Sequence, residues 1–477
     1  MKIPFAIRVL LACVLGFARL NAIAAAKPQL PNVIFILADD LGWKDLGCYG
    51  STFYETPNLD SLAKRGMRFT DAYAACCVCS PTRASILTGK YPARLHLTDW
   101  LPGKKDSPEL KLNRAPLIDH LPLEQTTFAT RLQKQGYKTA FMGKWHLGSK
   151  EYFPEHHGFD INIAGCGRGS PPSYFSPYGI PTLKDGPPGE YLTDRLTDEA
   201  VNFLKAQTNG PFLLYLSHYA VHVPLQAKPE KMEKYKAKAA ALPKVEPEFA
   251  RLQGGRMRLI QNHAVYASMI ESLDESIGRV LKQLDDSGLA TNTIVIFTSD
   301  NGGLSTAEGS PTSNYPLKAG KGWAYEGGVR EPLLVAWPGQ TKPGSVCAEP
   351  IISTDYFETI LQWANVSSQQ PTDGRSLIPL LKGGHPSQRA LFWHYPHYSN
   401  QGGRPYGAIR DGDFKLIEWY EDMRVELYNL RKDISEQLDV SAQMPEKVSE
   451  LRDKLHAWRK SVDAATPTPN PNYSPKN

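Results

Sequence analysis

Short apolar runs recur along this chain, each ending on a polar cluster, and helix-spaced apolar stripes lie between them. Asn32–Leu37 is a continuous apolar run of strand length that delivers Asp39 and Asp40 at its carboxyl end. Lys138–Met142 delivers Lys144 and His146, Pro211–Leu216 delivers His218 and His222, and Thr293–Thr298 delivers Asp300 and Asn301. Thr126–Gln135 reads as a helix, and Leu196, Ala200, Phe203 and Leu204 recur at helical spacing. Met269, Leu273, Ile277, Leu281 and Leu284 form a long amphipathic stripe that Gly288 can cap. This alternation predicts an α/β fold, a large, mainly parallel sheet sandwiched by helices. Open sheets of that type bind ligands beyond the carboxyl ends of their strands, which is where these polar residues fall.

The pattern changes near Ser353. Phe392–His397, Tyr406–Arg410, Phe414–Tyr420 and Val425–Leu430 read as short strands and Pro445–Val462 as a helix, giving a smaller C-terminal antiparallel sheet plus helix. The expected division is 27–352 for the main domain, 353–465 for the C-terminal subdomain and 466–477 for a disordered tail rich in Pro and Asn. The Lys- and Ala-rich stretch Lys228–Lys244 reads as an exposed helical insertion with a solvated basic face.

Residues 1–26 read as a secretory signal peptide, with Lys2 and Arg8 before an apolar stretch and Ala22-Ile23-Ala24 or Ala24-Ala25-Ala26 as a cleavage site. Arg19 interrupts the apolar stretch and argues against a transmembrane anchor. The expected location is periplasmic or secreted; lipoprotein processing at Cys13 is the rival. The formal charge of +5 is modest for 477 residues, and the absence of a Lys/Arg-dense stripe sets nucleic acid aside as a partner. Cys48, Cys76, Cys77, Cys79, Cys166 and Cys347 follow the leader, but a chain of this size needs no disulfide staples. Cys76, Cys77 and Cys79 make no zinc cluster, since no second ligand pair follows at a suitable spacing.

Two sets of polar residues carry the chemistry. Asp39, Asp40, Asp300 and Asn301 offer carboxylates and an amide oxygen, donors that suit one hard cation, Ca²⁺ rather than zinc; taken alone, adjacent acids at a strand end serve equally as helix caps. The second set is cationic: Lys144 and His146 in G-K-W-H-L-G, His222 in S-H-Y-A-V-H-V-P, and Lys321 in A-G-K-G-W-A-Y-E-G-G-V-R-E-P. Cations fixed around a leaving oxygen stabilise charge developing there. Glu326 and Arg330 read as a structural pair behind the Lys321 loop, and His218 as packing.

The run C-S-P-T-R-A-S-I-L-T-G-K (Cys79–Lys90) resembles the signature of the formylglycine-dependent (type I) sulfatases, bacterial carbohydrate sulfatases and arylsulfatases among them. Pro81 fits a first helical turn, and Arg83 would face the same anion as residue 79. Thr82 stands where many members have serine. The resemblance extends from about Asn32 to Trp337 and implies an alkaline-phosphatase-like fold. It also implies that a formylglycine-generating enzyme oxidises Cys79 to Cα-formylglycine, whose hydrate attacks sulfur with one hydroxyl and expels sulfate with the other. Carried over by position, Asp39, Asp40, Asp300, Asn301 and residue 79 hold the Ca²⁺, and Arg83 steadies one hydroxyl. Lys144, Lys321 and His222 contact the sulfate, Lys321 or His222 protonates the departing alcohol, and His146 takes the proton of the second hydroxyl.

The resemblance points to a sulfated glycan as substrate, including galactose- or N-acetylgalactosamine-configured 4-O- or 6-O-sulfates. Arg94, Asp99 and Trp100 in R-L-H-L-T-D-W-L-P-G are expected to bind the sugar, with His397 and Arg404 as a second set. The alternatives are a phosphonate or phosphate monoester hydrolase of the same superfamily and an inactive sulfated-glycan-binding homologue.

Overall fold

The central strand, Asn32–Ala38, is buried along its whole length because a parallel neighbour covers each edge. On one side Val33 pairs with Leu213 of Phe212–Ser217, and on the other with Ile294 of Thr293–Ser299. A strand enclosed on edges and faces reads as an unbroken apolar run, which is what made it visible in the sequence. The computed structural model describes residues 30–207 and 210–475. The leader, its cleavage sites and Cys13 lie outside the described residues.

Across the main sheet the strands run in the order Ser345–Cys347, Met67–Tyr73, Arg330–Ala336, Thr293–Ser299, Asn32–Ala38, Phe212–Ser217, Lys138–Gly143 and Ile161–Ile163, with Ile351–Ile352 also paired to Met67–Tyr73. Arg330–Ala336 alone among these runs antiparallel to both neighbours. It enters the sheet straight from the Lys321 loop at the carboxyl edge, so it has to travel back. Helices Leu192–Lys205 and Ala264–Asp286 bury Leu196, Ala200, Leu273 and Ile277 on one face of the sheet. Among the described residues, no helix is long and apolar enough to cross a membrane.

Leu391–Tyr395, Tyr406–Asp411, Phe414–Trp419 and Val425–Asn429 form a four-stranded antiparallel meander covered by helix Pro445–Ser461. Its core is continuous with Cys76, Cys77, Tyr91 and Trp323 of the main fold. Buried Lys415 pairs with Glu326 at 2.9 Å and Glu436 at 3.0 Å, while Glu326 also holds Arg330 at 3.2 Å, so the expected Glu326–Arg330 pair is tied into the C-terminal sheet.

The expectation for the tail is corrected. Among the described residues the tail from 466 is tied down: Thr468–Pro469 pairs with Leu112–Asn113, and Asn470 Nδ2 donates to the Leu110 carbonyl at 2.8 Å. Its polar composition is matched by backbone partners in a loop that sequence patterning left blank. The basic stretch forms the expected exposed helix, Pro229–Ala240, with only Tyr235 buried, and Lys231, Lys234 and Lys238 reach Glu271, Glu275 and Glu55 from it.

Candidate active site

Cys79 is the first residue of helix Cys79–Thr88, preceded by extended Val78. Thr82 Oγ1 donates to the Cys76 carbonyl at 3.1 Å and accepts from the Cys76 amide at 3.2 Å, locking the approach to the helix. Pro81 sits in the first turn, where no intrahelical amide bond is forfeited. Cys79 Sγ lies 3.7 Å from Asp39 Oδ1 and is only 2% exposed.

The strand ends converge on that thiol as the sequence pattern predicts. Asp39 receives Lys144 Nζ at 2.7 Å, and Asp40 receives Lys321 Nζ at 2.8 Å. Asn301 Nδ2 donates to Asp40 Oδ1 at 2.8 Å. Arg83 is fully committed beneath the site, with Nε on Asp300 at 2.9 Å and Nη1 on the Lys144 carbonyl at 2.8 Å and Ser217 Oγ at 2.7 Å. Gly143, at φ +111°, makes the turn to Lys144 possible, since a Cβ there would stand 1.8 Å from the Ser217 carbonyl oxygen. Asp40 and His146 hold left-handed backbone angles of +60° and +59°, conformations that cost energy and are kept by the surrounding packing.

Burial is the largest influence on Asp39, Asp40, Asp300 and His146. It pushes Asp39 up to about 8, with Asp300 adding repulsion and Lys144 and Arg83 opposing. Burial also opposes ionisation of Asp40 and Asp300, yet Lys321 and His222 hold Asp40 below the usual carboxylate range, and Arg83, Lys144 and Lys321 do the same for Asp300. His146 is driven well below its ordinary value by burial and then by Lys144.

The residues suit a hard cation. Ligand atoms of Asp39, Asp40, Cys79 and His222 lie within 4.8 Å of one another, and Asn301 Oδ1 is buried there with no hydrogen-bond donor. Two carboxylates and an orphaned amide oxygen match part of a calcium donor set. Asp300 stands beside them with its carboxylate on Arg83.

Above the thiol opens a cavity of about 360 Å³ that brings together Cys79, His146, His222 and Lys321. Of the expected sugar ligands only Trp100 reaches it. Arg94 points away and grips Asp373 at 2.7 Å, and Arg404 pairs with Glu421 at 3.1 Å. Asp99 is buried, accepting from the Tyr395 hydroxyl at 2.8 Å, and His397 is buried against Thr98 Oγ1 at 2.8 Å. A loop position does not fix side-chain direction, and each of these four found a closer partner. His218 is packing, 3.1 Å from Ser276 Oγ.

Sequence reasoning missed Arg168, Ser170, Glu308 and Gln401, which line the cavity. Arg168 and Ser170 follow the strand Ile161–Ile163, so the strand-end rule covers them, but three residues are too short a run to see. Glu308 and Gln401 sit on loops without periodicity and hold each other, Gln401 Nε2 donating to Glu308 Oε1 at 2.6 Å.

The sulfatase family model matches residues 31–366, and a model described as N-sulphoglucosamine sulphohydrolase, C-terminal, matches 319–461. A protein named "Sulfatase" from Formosa agariphila is 31% identical over 92% of this chain and 90% of its own length. The N-acetylgalactosamine-6-sulfatase of Sus scrofa is 35% identical over 86% of this chain and 75% of its own. Among solved structures, Ps i-CgsB in complex with k-i-k-neocarrahexaose superposes with a TM-score of 0.73 at 29% identity, over 90% of this chain and 93% of that one.

Proposed function

The chain belongs to the sulfatase family, and from that premise we propose that it removes sulfate from a sulfated carbohydrate, with residue 79 in its aldehyde form as the nucleophile. The observation that supports this most is the floor of the cavity. A helix-leading Cys79 lies beside Asp39, His146, His222 and Lys321 line the cavity with it, and Lys144 is buried behind them on Asp39. One reactive position faces cations on several sides, an arrangement suited to a sulfate ester.

Hydrated, the aldehyde supplies two hydroxyls at one carbon, one to attack sulfur and one to release sulfate. Asp39, Asp40, Asn301 and residue 79, with Asp300 alongside, would hold one calcium ion, which when bound makes a neighbouring hydroxyl more acidic.

The remaining work falls to the chain. Lys144 and Lys321 place positive charge around the sulfate oxygens. Lys321 keeps its proton well above the ordinary lysine range because, against the cost of burial, Asp40, Cys79 and Asp39 together favour the charged form. Nδ1 of His222 lies 2.8 Å from the Val223 carbonyl and so carries a proton, leaving Nε2 to accept from Lys321 at 3.0 Å. Lys321 is thus the proton store for the departing alcohol, with His222 as its relay. His146 is neutral; its Nε2–H meets the Leu101 carbonyl at 2.7 Å, and its buried Nδ1 has no partner and is the free base.

Carbohydrate as the substrate class draws support from the relatives named above and from Trp100, whose ring suits an apolar sugar face. Galactose- or N-acetylgalactosamine-configured 6-sulfates come first, after the relatives' names. The leader reading supports export, and the motif around Cys79 supports a formylglycine-generating enzyme as processing partner. A desulfation screen of defined sulfated mono- and disaccharides, run beside paired sulfate and phosphate monoesters of one phenol, tests the proposal; preference for the phosphate overturns it.

A further inference from the structure

We propose that Asp99 is a positioning residue for His146, acting through the backbone of Leu101. Asp99 is fully buried and its carboxylate closes a small loop on itself. Oδ1 accepts from the Trp100 amide at 2.9 Å and Oδ2 from the Lys104 amide at 3.3 Å. Oδ1 also accepts from the Tyr395 hydroxyl at 2.8 Å, anchoring that loop to the first strand of the C-terminal sheet.

The loop carries Leu101, whose two backbone groups reach into the site. Its amide donates to Ser80 Oγ at 3.2 Å, next to residue 79, and its carbonyl accepts from His146 Nε2 at 2.7 Å. The backbone of one residue therefore spans the nucleophile helix and the imidazole. A carbonyl can only accept, so it dictates which ring nitrogen keeps the proton and leaves Nδ1 with the lone pair. On its other side the ring meets Gly169, where a Cβ would lie 2.5 Å from Cε1, so the imidazole has little room to turn. The C-terminal sheet thus reaches the chemistry by a path of named bonds: Tyr395, Asp99, Leu101, His146.

The inference rests on His146 being the base of the proposed reaction, and the test separates the two. Asp99→Ala and the gentler Tyr395→Phe are expected to lower kcat, the former by about tenfold, with little change in KM. In a His146→Ala background, Asp99→Ala should cost almost nothing further, since residues acting as a unit are not additive. Histidine ¹⁵N NMR, with the signal assigned by its loss in His146→Ala, should show an Nε2–H tautomer in the parent and a mixture in Asp99→Ala. A loss confined to KM would make Asp99 a sugar ligand, and full additivity or an unchanged tautomer would make it a stability residue; any of these overturns the inference alone. Full turnover by His146→Ala would remove the base assignment and this inference with it.

Discussion

The ammonium group of Lys321 donates to Nε2 of His222 across 3.0 Å. The same ammonium lies 2.8 Å from Asp40, so one proton donor is held between a carboxylate and a neutral imidazole at the cavity wall. Lys321→Ala is expected to lower kcat by about a hundredfold or more, the usual range for losing one preorganised donor. His222→Ala should cost nearly as much, and the double variant little beyond either. Steady-state kinetics on one sulfate ester check this; two independent, multiplying losses would assign the residues separate tasks.

Cys79→Ala should abolish hydrolysis and leave the thermal melt unchanged, because the thiol makes one weak 3.7 Å contact and its removal leaves the helix intact. Mass spectrometry of the peptide spanning residue 79 should show –CHO in place of –CH₂SH, the loss of H₂S with the gain of one oxygen. Normal turnover by Cys79→Ala would end the nucleophile assignment.

Chelation should remove activity and lower the melting temperature, since Asp39, Asp40 and Asp300 would then repel one another with only side-chain cations between them. Calcium should restore both effects, as a ligand bound only by the folded state stabilises it. Asn301→Ala should raise the calcium concentration needed for restoration. Equal restoration by magnesium would set the choice of calcium aside.

Burial pushes Asp99 up to about 7 from 3.8, against the hydrogen bonds of Tyr395, Trp100 and Lys104. The unfolded carboxyl ionises first as pH rises, so Asp99 contributes most to stability below its unfolded value, and that contribution is lost progressively up to about 7. Denaturant melts from pH 4 to pH 8 should show Asp99→Asn losing less stability over that window than the parent protein. Parallel curves would contradict the shift.

Arg168 lines the cavity and is exposed, and among the described residues no acid is paired with it. Arg168→Gln is expected to raise KM several-fold for substrates carrying a second anionic group and to leave monosulfated sugars within about twofold. Kinetics on matched mono- and disulfated saccharides at two salt concentrations check it.

The fold and the centre of the site were legible because both depend on the same pattern. Strands buried on all sides leave apolar runs, and the residues just beyond them, Asp39, Lys144, His222 and Asp300, have nowhere to go but the carboxyl edge. The outer wall was not legible. Arg94 and Arg404 stand near aromatic residues in the sequence, yet Asp373 and Glu421 claim them, and only tertiary folding brings those acids near. Asp99 reads as a sugar ligand, yet it lies buried on the Tyr395 hydroxyl, and nothing in its own neighbourhood announces that partner.

The enclosure of Cys79 sets an order of events in the life of the molecule. At 2% exposure, under a roof that includes Trp100 and beside a core shared with the C-terminal sheet, the thiol is out of reach of any macromolecular catalyst once the chain has folded. An enzyme that oxidises it must therefore meet this stretch as extended polypeptide, before residues some three hundred positions later arrive to close over it. Processing and folding then compete for the same interval, and a host that folds the chain faster than it processes it would yield sound, soluble and inert protein.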